Sequence, residues 1–295
     1  MAGRGLAERL LAQPDPPRVV GIDRQLPRAL RNRVPLYTLD LTDPVADGRL
    51  AEILQKEGCD VLVHATFFQK RTADRNCAHE LEVIGSPHAM NGAAAAGTKQ
   101  LIVTSTARVY GAHVDNPGFL EEESPLRGHA GAPEVEDRVE VERLLGIFAR
   151  RHPQMSVAVL RPCMMVGPRA DSDAVRHFDR RRITLPMGYG PVVQFQDEED
   201  YLDALELALH RDVSGPFNLA GKEMLRVPHP LLYRLDYARA VWFGGASPAG
   251  FYDYLRFPWV VDCTRASREL GFHPDYSTKE AWMSFAVSRR LRDYR

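Results

Sequence analysis

The chain is short of lysine, paired cysteines and long apolar runs, and each shortage removes a class of function. Of 38 basic residues in 295, only 5 are Lys and 33 are Arg. No Lys falls between Lys99 and Lys222, no Tyr between Tyr110 and Tyr189, and nowhere does a Tyr precede a Lys by four positions. Cys59, Cys77, Cys163 and Cys263 are scattered, with no Cys-x-x-Cys pair. That excludes a zinc-ribbon or disulfide scaffold and reads as buried reduced thiols of a cytoplasmic protein. No apolar run approaches the ~20 residues that span a bilayer, and the amino terminus has no apolar signal core, so no membrane is expected as partner. A net charge of −1 gives no basic surface for nucleic acid.

What is present is an α/β pattern. Leu101-Ile102-Val103 is a short apolar run entered from the Ala-rich segment 93–96 through Gly97. It predicts helix, tight turn and buried parallel strand. Thr104-Ser105-Thr106 then lies at the carboxyl end of that strand, where open α/β sheets place their chemistry. Strands are also predicted at Val19–Ile22, Val61–His64 and Val157–Leu160. An amphipathic helix is predicted over Glu134–Arg151, with Val141, Leu144, Leu145 and Phe148 on its apolar face. Ser86-Pro87 predicts a break or kink in the helix that continues to Ala96, because proline removes an intrahelical hydrogen bond.

These segments resemble the extended short-chain dehydrogenase/reductases, the NAD-dependent epimerase/dehydratase family. A strand ending in hydroxyl residues and then Val109-Tyr110-Gly111 matches that family's catalytic Ser/Thr segment, and the spacing assigns Thr106 to the role. The family's Tyr, and the Lys four positions after it, correspond to Glu134 and Arg138. The resemblance therefore implies a Rossmann-type doubly wound sheet over residues 1–167, with a smaller substrate domain over 168–295. It also implies NAD(P) as cofactor and a homodimer through the helices that follow the fourth and fifth strands, including Glu134–Arg151.

Other assignments follow from the same resemblance. The first strand, and most of the Gly-rich turn after it, fall ahead of Met1, with Gly3 and Gly5 as remnants of that turn. Asp23 occupies the position of the acid on the adenosine ribose, which favours NAD, while Arg24 beside it weakens that preference. Asp40 and Leu41 fall on the adenine side, Ala65 and Thr66 end the strand after the family's "V-V-H-x-A" segment, and Cys163 follows the sixth strand. Glu82 stands where the family has Asn. Asp197 stands where it has His, at the head of Asp197-Glu198-Glu199-Asp200. Those four acids suit a helix amino terminus better than a metal.

The altered residues gather on the cofactor side, so weak or absent dinucleotide binding is expected. Three functions remain open. The chain is a binding or regulatory member without hydride chemistry, with a small molecule as partner; or an active epimerase, dehydratase or reductase on a nucleotide sugar or small polar metabolite; or a non-redox isomerase or lyase using Glu134 as base. Arg138 is expected to pair with Glu134 at the cleft mouth and keep it ionised.

Overall fold

The computed structural model describes residues 2–65, 75–130, 132–170, 172–178, 190, 192–226 and 252–293. In chain order these form α1 (Ala2–Leu10), β1 (Gly21–Asp23), β2 (Leu36–Thr38), α2 (Ala46–Glu57) and β3 (Val61–His64). Next come α3 (Arg75–His79), a π turn (Glu80–Ile84), α4 (Gly85–Ala96), β4 (Gln100–Thr104) and a 3-10 turn (Ala107–Tyr110). Then follow α5 (Pro133–Arg151), β5 (Ser156–Pro162), β6 (Met164–Val166), α6 (Asp173–Phe178), β7 (Val192–Val193), β8 (Phe195–Asp197) and α7 (Glu198–Leu209). β9 (Gly215–Leu219), β10 (Leu225–Arg226), a second π turn (Ala266–Leu270) and α8 (Thr278–Asp293) follow, and a further 3-10 turn (Arg28–Leu30) lies between β1 and β2.

The fold is α/β, as the pattern predicts. Four parallel strands lie in the order β3-β4-β5-β9, with Leu101 opposite Leu62 on one side and Val157 on the other. All five residues of β4 are buried, as a central parallel strand requires. One face packs Met90 and Ala93 of α4, and Val141, Leu145 and Phe148 of α5, against Leu101, Val103, Val157 and Val159. The other face packs α1 and α7 against Ile102, Ala158 and Leu160. Gly97 ends α4 at φ 74°, a left-handed turn that suits glycine.

Two expectations are corrected here. The strand expected at Val19–Ile22 forms as Gly21–Asp23, but it pairs only with β2, in a separate two-stranded parallel sheet. Among the described residues no strand joins β1 to β3, so their facing edges lack ladder partners. At Ser86-Pro87 the helical run is not interrupted, but it changes to a π turn at Glu80–Ile84, just before Pro87 at the start of α4. A π turn re-routes the backbone bonds of the turn before Pro87, which itself has no N–H to donate.

β6 pairs with β8 in parallel and β7 with β10 antiparallel, forming two small sheets beyond β5. All four cysteines are free, but only Cys163 is buried; the other three are half-buried. No helix among the described residues is long and apolar enough to cross a membrane.

Candidate functional site

β4 and β5 deliver the site residues to the carboxyl edge of the four-stranded sheet. Thr106 leaves β4 and caps the 3-10 turn: its Oγ1 accepts from the Arg108 amide at 3.3 Å and donates to the Pro162 carbonyl at 3.4 Å. The turn is closed by Gly111 at φ 75°, where a Cβ would lie 2.1 Å from the Gly128 carbonyl oxygen. Only glycine fits there.

Glu134 stands in the first turn of α5, where the helix dipole favours a carboxylate. Its partner is Arg108, with Nη2 3.2 Å from Oε1. Arg138, one helical turn further, points the other way. It is 5% exposed and its Nε donates at 3.3 Å to Oε2 of Glu82, itself 1% exposed. The expected Glu134–Arg138 pair is therefore not formed. A carboxylate buried as deeply as Glu82 requires a cation nearby. The π turn brings Glu82 to that face of α5, while the 3-10 turn presents Arg108 to Glu134.

Other charged pairs surround this face. His64, buried at the end of β3, meets Ser86 Oγ at 3.0 Å; burial first, then the Arg138 charge, lowers its pKa to about 4. His79 Nδ1 contacts Asp137 Oδ1 at 2.7 Å.

On the expected adenosine side each polar group is bound locally. Asp23 Oδ1 accepts from the Gln25 amide at 3.0 Å. Asp40 accepts from the Thr42 amide and hydroxyl, which hold its carboxyl below the usual range, and Arg24 approaches it at 3.8 Å. Leu41 packs beside Gly85, where an added Cβ would sit 3.0 Å from the leucine Cβ. Gly3 and Gly5 are not in a turn but inside α1. A Cβ on Gly3 would meet Ala65 at an ordinary 3.8 Å, whereas one on Gly5 would press Leu202 at 3.2 Å. Gly5 thus serves the close approach of α1 to α7. Arg169 lies in that crevice, tied to Glu8, Glu198 and Glu199. Thr66 lies outside the described residues. Cys163 is not on a ligand-facing surface but in the core, where burial pushes its thiol well up.

The four acids at 197–200 act as a helix start. Asp197 caps α7 by accepting from the Glu199 amide at 2.8 Å, and Asp200 accepts from the amides of Asp275 and Tyr276 at 2.9 and 3.2 Å. Carboxylate oxygens of Asp200, Asp203 and Asp275 come within 4.8 Å of one another, with Asp200 held by those amides and Asp203 by Arg9.

Two clusters escaped the sequence reading. Arg161 on β5 is buried and binds Glu142 through Nε and Nη2 (2.9 and 2.5 Å), Tyr110 OH at 2.6 Å and the Glu122 carbonyl at 3.0 Å. Ser105 donates to Glu142 at 2.5 Å, and Tyr110 donates to Asn218 at 2.7 Å. The second cluster sits on Tyr254. Its hydroxyl donates to the Arg108 carbonyl at 2.8 Å and its ring lies 4.8 Å from the Arg108 guanidinium. On the same ring rests His129, 5.8 Å away and paired with Asp253 at 2.8 Å. Neither cluster has a local sequence signal, since Glu142 lies 19 residues from Arg161 and Asp253 lies 124 from His129.

Comparison with known proteins agrees with this architecture. The sequence profile of the NAD dependent epimerase/dehydratase family matches residues 1–220. A Mycobacterium tuberculosis protein described as uncharacterized is 26% identical over 310 residues, covering 98% of this chain and 81% of that one. A UDP-glucose 4-epimerase of Thermotoga maritima, solved with UDP-glucose, superposes with a TM-score of 0.75 at 19% identity, over 99% of this chain and 96% of the other. A Streptomyces venezuelae dTDP-glucose 4,6-dehydratase with NAD bound gives 0.72 at 22% identity, over 99% and 95%. At such identities the structural likeness establishes fold alone.

Proposed function

The chain belongs to the NAD dependent epimerase/dehydratase family, and from that premise we propose that its hydride-transfer site has been rebuilt as fixed ion pairs, leaving a protein that binds a small molecule without redox turnover. The observation that supports this reading is the buried Arg138–Glu82 pair. The resemblance assigns those two positions to Lys and Asn, beside a Tyr replaced by Glu134. Removing a positioned proton donor forfeits roughly 10²–10⁴-fold in rate. An arginine held by a buried carboxylate cannot take over the role of the family's lysine without leaving Glu82 uncompensated.

The two ends of the family's cofactor site differ in how they fit NAD(P). Asp23 and Asp40 at the strand ends suit an adenosine ribose and adenine. At the nicotinamide end Thr106, Glu134, Arg138 and Glu82 are all engaged with one another's neighbours. That end does not fit.

Calorimetric titration with NAD, NADH, NADP and NADPH tests the proposal. No micromolar binding is expected, and micromolar affinity for any of the four overturns it. The restoring variant Glu82→Asn/Glu134→Tyr/Arg138→Lys is the sharper probe. Should it gain NAD-dependent turnover on a nucleotide sugar, the ion pairs were the sole defect and the reading of a rebuilt site is wrong. A second reading, a non-redox isomerase or lyase, is favoured by one observation: Arg108 holds Glu134 at the cleft as a carboxylate partner. Under that reading Glu134→Gln abolishes turnover while the fold persists.

A further inference from the structure

We infer that the cluster of Arg108, Glu134 and the His129–Asp253 pair takes a zwitterionic small molecule, an α-amino acid or similar amino-carboxylate. This names a ligand class for the binding function proposed above and rests on that reading.

The argument begins with two arginines. Arg161 is fully engaged, with Glu142, Tyr110 and the Glu122 carbonyl around its guanidinium. Arg108 makes one side-chain hydrogen bond, the 3.2 Å contact to Glu134, and its Nε is buried without a hydrogen-bond partner among the described residues. A buried donor left without an acceptor is unfavourable. Arg108, unlike Arg161, therefore keeps donor capacity that its neighbours among the described residues leave unused.

Tyr254 is the mount that holds it. The ring supports the Arg108 guanidinium and the His129 imidazole, and the hydroxyl binds the Arg108 carbonyl. Arg108 faces Glu134 on α5, and the His129 ring faces Asp253 from the carboxy-terminal segment. Arg108 is 16% exposed and Asp253 31%, so the cluster opens to solvent while its geometry is fixed. His113 stacks on His129 at 6.3 Å and bonds the Gly128 carbonyl at 3.1 Å.

Charge then selects the ligand. Arg108, Glu134 and Asp253 sum to one negative charge. A simple anion that reaches Arg108 meets Glu134 and Asp253; a simple cation meets Arg108. A molecule with carboxylate and ammonium one carbon apart satisfies both signs. Its carboxylate matches the planar guanidinium fork, and its ammonium suits the carboxylates beside it.

Calorimetry with each of the twenty α-amino acids, and with propionate and ethylamine as half-ligand controls, tests the inference. At least one amino acid should bind saturably, and each half-ligand should bind at least tenfold more weakly. Arg108→Gln should lower affinity tenfold or more. Asp253→Asn should weaken binding severalfold with Tm unchanged, and it decides the matter if Arg108→Gln does not fold. Absence of amino-acid binding, propionate binding as tightly, or full affinity in both variants overturns the inference. NADH titrated into the same sample separates the two proposals. NADH binding defeats the proposed function, whereas failure of the amino acids alone defeats only this ligand class.

Discussion

The four-stranded and two-stranded sheets are built from similar short strands, yet they settle their charges in different ways. Beside β4, Arg161, Glu142, Tyr110, Asn218 and Glu122 form one buried network in which each charge has several partners. Beside β1 and β2, Asp23 and Asp40 are bound mainly to amides two residues away, and Arg24 is exposed. Val61, Leu62 and Val63 on the edge strand β3, and Gly21 and Ile22 on β1, are only half-buried, whereas β4 is wholly buried. Stability follows burial and connected polar networks. The difference teaches that the fold is carried by β4, β5, β9 and α5. The segment that the family uses for adenosine rests on the weaker piece.

The comparison can be broken at its strong side first. Arg161→Met leaves Glu142 buried without its cation and should cost about 3–5 kcal/mol of unfolding free energy, read from the urea midpoint. Glu142→Leu/Arg161→Met should recover most of that loss. If the single change costs less than about 1 kcal/mol, as exposed ion pairs do, the network does not carry the fold.

Acid provides the next test. His64 has a pKa near 4 against an ordinary 6.5, so between those values the unfolded chain binds a proton that the folded chain refuses. Stability is full above pH 6.5 and falls as pH drops toward 4, by on the order of 3 kcal/mol from this group. Asp197 acts in the opposite sense. Burial raises its pKa to about 6 from 3.8, so its contribution is present below pH 3.8 and lost as pH rises through 6. His64→Gln should flatten the acid limb of stability against pH, and Asp197→Asn, which keeps the helix cap, should steepen it. Denaturant midpoints measured from pH 4 to 7 decide between this and an unchanged profile.

The smallest effects belong to the two-stranded sheet. Asp23→Asn should alter global stability by less than about 0.5 kcal/mol. Amides of β1 and β2 should exchange with solvent well before those of β4 and β5. Equal protection in the two sheets would show that they open as one unit and erase the distinction.

Much of the architecture was legible because its causes are local. The apolar run Leu101–Val103, the Gly97 stop before it and the amphipathic pattern of α5 each depend on neighbours a few residues away. The family was legible for the same reason, since its motifs are short segments around those elements. Residues joined across long separations were not. Glu134 and Arg138 sit one turn apart and invite pairing, but Arg138 turns to Glu82, 56 residues back, and Glu134 to Arg108, 26 residues back. Helical spacing determines which side chains can meet. Which do meet was decided by the π turn, which buries a carboxylate that requires a cation, and by the 3-10 turn, which brings another cation to the helix start. His129 and Asp253, 124 residues apart, meet on Tyr254 only because the loop before α5 and the carboxy-terminal segment pack on the same ring. The sequence by itself determined where the strands and helices run. Tertiary packing decided which charges are buried together, because the cost of desolvating an ion exists only once the chain has closed around it.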